Sequence, residues 1–178
     1  GTNSFLTDAI QEINIYTAKL DYNASIGDYA FSTGLKFSNV ASNSAQNFFD
    51  TDSGSIFNPA LSDLFLYDEN IYAAYAQLDR SWEKWSFAAG LRAEQTDVEG
   101  VSQSQGQVNT QEYLELFPNL ALTNQFNENN SYTLSYKRSI DRPRYADLNP
   151  FSTFINDFNT NTGNPNLQPA FNNKFTLS

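Results

Sequence analysis

Three groups of side chains in this sequence have types and spacing suited to chemistry, and each also has a plain structural reading. Lys137, Arg138, Arg142 and Arg144 crowd one short stretch and could draw an anionic solute to a channel mouth. They could equally pair with Asp141 and Asp147 to fix a loop on a rim, and this second reading is preferred because ion-pair networks are a common structural use of such charges. Asp50-Thr51-Asp52-Ser53-Gly54 opens like a calcium loop, with oxygen ligands at alternate positions before a glycine. The closing position of such a loop falls on Leu61, where a bidentate Glu is required, so an ordinary solvated loop is expected. Glu112 and Glu115 suggest acid–base work, but residues three apart on a strand point to opposite faces and do not share a substrate. The sequence contains 0 His and 0 Cys, which removes the commonest general base and any thiolate nucleophile. Ser, Thr and Tyr are plentiful, yet no neighbouring base activates them. Gly54, Gly100 and Gly106 lie in polar stretches with no helix after them, unlike a phosphate loop. Neither an enzyme nor a cofactor or metal site is expected.

These residues must be positioned by elements that composition already constrains. The chain has 178 residues and a net charge of −10, so nucleic acid is not an expected partner. No apolar run is long enough for a membrane helix. Mean hydropathy is −0.51, a value that alternating polar and apolar strand residues produce even in a membrane protein. The informative excess is aromatic, with 15 Phe, 10 Tyr and 2 Trp. Gly1 to Asp8 has neither the basic nor the apolar part of a signal peptide, and no Met is present, so an excised or processed segment is expected.

Period-two alternation dominates, in segments of about ten residues, the length a tilted strand needs to cross a bilayer. Strands are predicted near 13–22, 29–40, 70–80, 86–96, 113–125, 131–139 and 171–178. In the first, Tyr16, Ala18, Leu20 and Tyr22 oppose Thr17, Lys19 and Asp21. In the second, Phe31, Leu35 and Phe37 oppose Ser32, Gly34 and Lys36. Tyr72, Ala74, Ala76 and Leu78 form the apolar row of the third; Phe87, Ala89, Leu91 and Ala93 that of the fourth. Leu116, Pro118, Leu120 and Leu122 continue the series, then Tyr132, Leu134 and Tyr136, then Phe171, Phe175 and Leu177.

Three regularities coincide. Short turns at 23–28, 81–85 and 126–130 alternate with long polar stretches at 41–66, 97–111 and 140–170, as in transmembrane barrels with tight periplasmic turns and large external loops. The apolar rows lack charge, whereas the opposite rows carry Lys19, Lys36, Arg92, Glu94, Lys137 and Lys174. Aromatics flank each short turn, as Tyr22 and Tyr29, Trp82 and Trp85, and Phe126 and Tyr132, where a membrane interface favours amphipathic rings. A soluble β-sandwich or solenoid supplies alternation but not readily all three. The expected fold is all-β, an antiparallel transmembrane β-barrel. Seven strands do not close a bacterial barrel, and an open sheet in lipid leaves unpaired edges, so the segment should be part of a larger wall. External loops would then choose the ligand or partner. Phe48, Phe49 and Phe57 in the first such loop, with Arg144 in the last, could contact a ligand or a surface lipoprotein, or simply pack the loop.

Four stretches resemble the outer-membrane β-barrel family of Bacteroidetes TonB-dependent receptors: Tyr67 to Glu94, Leu116 to Leu122, Ser135 to Phe151 and Thr162 to Pro169, about half the chain. The run from Arg138 through Arg142-Pro143 to Asn149-Pro150, then Gly163-Asn164-Pro165 and Pro169, is the most specific part. The prolines and Gly163 read as loop stiffeners. The resemblance implies a bacterial outer-membrane protein with a barrel of 22 strands around an N-terminal plug, the plugged class. It also implies energised nutrient uptake through a TonB-like coupling protein. Neither plug nor TonB box is visible in this stretch. A non-transporting barrel that scaffolds a surface assembly and a passive porin are the alternatives.

Overall fold

The computed structural model describes residues 4–52, 54–156 and 158–178. Among the described residues ten strands form, β1 (Phe5–Ile26), β2 (Tyr29–Asp50), β3 (Ile56–Phe57), β4 (Asp63–Trp82), β5 (Trp85–Ser102), β6 (Gln107–Asn127), β7 (Asn130–Asp141), β8 (Ser152–Asn156), β9 (Asn159–Thr162) and β10 (Ala170–Leu177). One helical turn, α1 (Tyr145–Leu148), follows β7. The main sheet runs β1-β2-β4-β5-β6-β7-β10 with every neighbour antiparallel, and β3 attaches to β2. This is an up-and-down meander, and the chain is an all-β antiparallel sheet of the outer-membrane barrel type. β8 and β9 make a separate hairpin inside the β7–β10 connection.

The register turns the alternation into continuous rows. Leu20 pairs with Leu35, Leu35 with Ala74, Ala74 with Ala93 and Ala93 with Leu116, so one apolar line crosses five strands. A second line, nearer the short turns, runs Ala24, Phe31, Leu78, Ala89, Leu120, Tyr136 and Phe175. These side chains face outward: Leu20 is 68% exposed, Leu116 48% and Phe175 75%. So much contiguous exposed apolar surface marks a membrane or partner contact rather than a water-facing wall. The other face carries Lys19, Lys36, Ala73, Glu94 and Glu115 in a single cross-strand row. Apolar outside and polar inside is the arrangement of a barrel wall in lipid.

The strands are longer than the alternation indicates. β1 and β2 each have 22 residues, whereas about 9–11 tilted residues suffice to cross a bilayer. Residues 41–50, 63–66, 97–102 and 107–111, expected as loops, are strand. Above the bilayer neither face must be apolar, so the hydrophobic period disappears while the backbone ladder continues. The long external connections therefore shrink to 51–62, 103–106 and 142–169. The first hairpin turn tightens to Gly27–Asp28, with Gly27 at φ 61°, in keeping with the positive φ that two-residue hairpin loops demand. Tyr22 consequently pairs with Thr33, away from the turn, and only Ile26 stands opposite Tyr29. Trp82 and Trp85 do pair at their turn, and the Phe126 and Tyr132 rings meet at 6.3 Å.

Arg80 breaks the expectation that the outward rows are uncharged. It pairs with Tyr29 and Phe87 at the short-turn end of the outward row. Its guanidinium lies 4.8 Å from the Tyr29 ring centroid and 5.6 Å from that of Trp82, donates to the Tyr29 hydroxyl at 2.9 Å and pairs with Asp28 at 3.1 Å. At a membrane interface, a charged head turned toward water above an aromatic belt is a stable placement.

Candidate functional site: the inner face and the segment folded against it

The inner face of the wall is built from the rows opposite the lipid-facing ones. Toward the external end these rows hold Phe65, Tyr67 and Glu69 on β4, Glu94, Thr96 and Val98 on β5, and Ser42 on β2. The 142–169 connection does not stand off the rim; part of it packs on this face. Leu148 of α1 joins Phe65 and Tyr67 in a buried cluster, with Val98 and Tyr145 packed against it. The Tyr145 and Tyr67 rings meet at 4.7 Å. Burial pushes the Tyr145 hydroxyl above its ordinary pKa, and the Glu69 carboxylate adds to the shift.

Arg142 ties this segment to the wall. Its Nη2 donates to Glu94 Oε2 at 2.8 Å and to Thr96 Oγ1 at 3.3 Å, and its Nε lies 3.3 Å from Glu69 Oε1. Glu69 and Glu94 are 4% and 8% exposed and Thr96 0%, so the guanidinium compensates carboxylates that water scarcely reaches. Glu94 is also held by Arg92 at 2.5 Å. Arg138, Arg142 and Arg144 each form ion pairs, but not all with the carboxylates named from the sequence. Arg142 reaches to Glu69 and Glu94 on the sheet, while Asp141 stays in the β7–β10 ladder opposite Ala170. Arg144 does pair with Asp147, at 2.8 Å, and its hydrogen bonds hold the Asp147 carboxyl below the usual carboxylate range. Arg138 fills the place where β7 leaves β6, since their pairing stops at Asn119 and Lys137. It donates to the Leu116 carbonyl at 2.6 Å, pairs with Glu115 at 2.8 Å and lies 4.5 Å from the Phe171 ring centroid. Lys137 stands directly opposite Lys174.

The remaining motif residues form a clip. The Gly163 N–H donates to the Asn149 carbonyl at 2.9 Å and the Asn164 N–H to the Asp147 carbonyl at 2.7 Å. Each Asn-Pro pair closes its own turn: Asn149 Oδ1 accepts from the Phe151 N–H, and Asn164 Oδ1 from the Asn166 N–H. Gln111 on β6 donates to the carbonyls of Pro165 and Leu167, and Gln105 to that of Pro150. Pro143 follows the end of β7 and Pro169 precedes β10, where missing N–H groups do not interrupt a ladder. A Cβ on Gly163 would lie 2.5 Å from the Asp147 carbonyl oxygen and 2.6 Å from that of Asn149. Gly163→Ala is therefore expected to cost about 1–3 kcal/mol, the range for overpacking. Proteolysis of the folded protein should show faster cleavage within 142–169, and an unchanged rate would refute the clip.

At the external end of β2, Phe48 is 6% exposed and stacks on Phe5 at 5.3 Å. Phe49 and Phe57 meet edge-on at 5.7 Å, and Phe57 keeps 48% exposure. Of the calcium-like stretch, Ser53 lies outside the described residues. Asp52 Oδ1 accepts from the Ser4 N–H at 2.7 Å, and Asp50 Oδ1 accepts from the Asp52 N–H. Glu112 accepts from Gln95 while Glu115 holds Arg138, on opposite faces as expected. Sequence reasoning placed Glu94 on the charged row but gave it no partner, and it did not single out Glu69 or Tyr67. Their signal was present in the alternation Phe65, Tyr67, Glu69 against Leu64, Leu66, Asp68, which places an acid among inward aromatics.

A meander with a lipid-facing apolar row, an aromatic turn belt and a charged, partly filled inner face defines a wall segment of a bacterial outer-membrane β-barrel. The chain matches the outer membrane protein beta-barrel family over residues 2–178 and belongs to it. It is similar in fold to the ferric citrate transporter FecA in its unliganded form, with a TM-score of 0.57 at 14% identity. That likeness covers 79% of this chain and 22% of the transporter's, so the chain spans about a fifth of that protein's length. No curated protein matches it in sequence.

Proposed function

We propose that this chain is part of the barrel wall of a TonB-dependent outer-membrane transporter for energised nutrient uptake. The observation that carries the reading is the segment anchored by Arg142 against the inner face. A passive porin keeps its lumen open, whereas a wall that carries ordered chain inward suits a barrel whose passage is gated. The two outer strands, β1 and β10, each leave one edge unpaired, and in lipid such edges must be closed by further strands. The partners that follow are outer-membrane lipid, the rest of the barrel, a plug, a TonB-like coupling protein and a surface lipoprotein at the external loops. The resemblance to Bacteroidetes receptors, carried by the clip residues, agrees with this. No catalytic step is assigned to the chain.

The test is uptake by cells that express the native protein containing this wall. Candidate nutrients should accumulate only with an intact coupling protein and an energised inner membrane. Accumulation that persists after both are removed would identify a porin. A correctly folded barrel with no uptake, which co-purifies with surface proteins, would identify a scaffold.

A further inference from the structure

On the outward side of the wall the apolar band contains a groove of about 550 Å³ that crosses β1, β2, β4, β5 and β6. Small side chains at Ala18, Ala74 and Ala93 keep it open beside Leu35, Phe37 and Tyr72, and the last two rings meet at 5.1 Å. Lys19 and Lys36 also border it, but their row is the inner one, where Lys19 pairs with Asp21 at 2.8 Å. Tyr72 stands ten residues from Trp82 along β4. For a strand rising about 3.3 Å per residue and tilted by about 45°, that is a climb of about 24 Å. The apolar band of a membrane barrel is about 25 Å tall, so the groove lies in the outer leaflet, directly under its headgroups.

Two outward rows continue above the groove. One runs Tyr16, Asn39, Asn70, Asp97 and Glu112, the next Asn14, Ala41, Asp68, Glu99 and Thr110. They hold four carboxylates and neither Lys nor Arg, and the four border a second depression of about 280 Å³. Asp97 stands directly opposite Glu112, and Asp68 directly opposite Glu99. Like charges so placed repel each other. Asn39 and Asn70 donate to Asp68, and Gln95 donates to Asp97 and Glu112. Among the described residues, however, none of the four carboxylates has an ion pair. Nor, among those residues, is any group of carboxylates placed to hold a metal ion.

The geometry points to a docking surface for one amine-headed lipid of the outer leaflet, with an acyl chain in the groove and the ammonium group against Asp68, Asp97, Glu99 and Glu112. Two features select that occupant. The groove is continuous with the rows that already face lipid, so a chain enters it from the surrounding leaflet without crossing water. The rows above it are acidic, and an ammonium group brings a positive charge with three donors to carboxylates that repel one another. A head group with negative charge alone meets the same carboxylates as like charges, an arrangement that disfavours it. The inference depends on the barrel wall only, and neither transport nor a plug enters it.

The experiment uses the native protein in mild detergent, mixed with equal amounts of phosphatidylethanolamine and phosphatidylglycerol of identical acyl chains. Native mass spectrometry reads which lipid is retained. Phosphatidylethanolamine should be held about tenfold in preference at one position per protein, a ratio equivalent to about 1.4 kcal/mol. Ala74→Phe, which fills the groove, should remove that lipid, and Ala93→Leu is a second filling variant should the first not fold. Asp97→Asn with Glu112→Gln should bring the preference close to one while a lipid is still held. Heat-modifiable migration should match the wild type in the variants compared, which separates lost lipid from lost fold. Equal retention of the two lipids, or a preference indifferent to filling the groove and to removing the carboxylates, would overturn the inference. Capture of oligolysine through Asp97 and Glu112, without any lipid preference, would also overturn it and assign the acidic rows to a basic protein face.

Discussion

Replacing Arg142 by alanine is expected to release the 142–169 segment from the wall and to destabilise the barrel by about 3–5 kcal/mol, the range for breaking a buried ion pair by removing one partner. The Glu69 and Glu94 side chains are 5% and 11% exposed, so they do not regain full hydration when the guanidinium is removed. Glu94 keeps Arg92 as a partner, whereas Glu69 has no second ion pair among the described residues. Most of the loss therefore sits on Glu69. Heat-modifiable migration of the native protein should shift to lower temperature, and proteases should cut within 142–169.

The same asymmetry supplies a control. Arg142→Met with Glu69→Gln removes the stranded charge as well as its partner, and replacing a whole buried pair by uncharged groups is often close to neutral. The double variant should recover most of the stability lost in Arg142→Ala. Arg142→Lys should fall between them, because a point charge does not span two carboxylates as a guanidinium fork does. If Arg142→Ala unfolds with the wild type and resists protease equally, the segment is held by the Phe65–Tyr67–Leu148 cluster and the clip alone.

Sequence was informative where the bilayer imposes a rule and silent where it does not. Lipid demands an apolar residue at every second position, so Leu20, Leu35, Ala74 and Leu116 could be assigned to one face, and the register aligns them in one row. At 41–50 and 97–102 water bathes the strands; Asn, Ser, Glu and Gln are tolerated there, and a strand resembles a loop. Arg80 shows the limit within the membrane rule itself, since an interfacial cation in the apolar row is stabilised by rings and by Asp28 that only the turn brings near. The inner site was half legible. Arg142, Asn149, Gly163 and Asn164 stood out, and the structure joins them to one clip and anchor. Their partners Glu69 and Glu94 lie far away in sequence on other strands, and pairing across β4, β5 and the β7–β10 connection is a product of register that local pattern does not contain.

Leu91→Arg should show which face meets lipid more directly than any inner-face change. Leu91 is 48% exposed and sits in the row of Tyr22, Thr33, Ala76 and Pro118, between the Trp82–Trp85 belt and the Tyr72–Gln95 row. That is near the middle of the apolar band, where an arginine on the lipid face costs about 2–4 kcal/mol. The neighbouring Gln77 faces the lumen and donates to Asp79, so Gln77→Arg keeps a donor for that carboxylate and should be close to neutral. An arginine at Tyr132, 57% exposed near the short turns and three strands away from Arg80, should also be mild, because at the interface the penalty falls to about 0–1 kcal/mol. The three variants give a depth and face profile readable from folding yield into lipid vesicles. A penalty at position 91 alone is the signature of a bilayer. Equal penalties at 77 and 91 would mean that both faces are packed against protein, and the wall would then lie inside an assembly instead of against lipid.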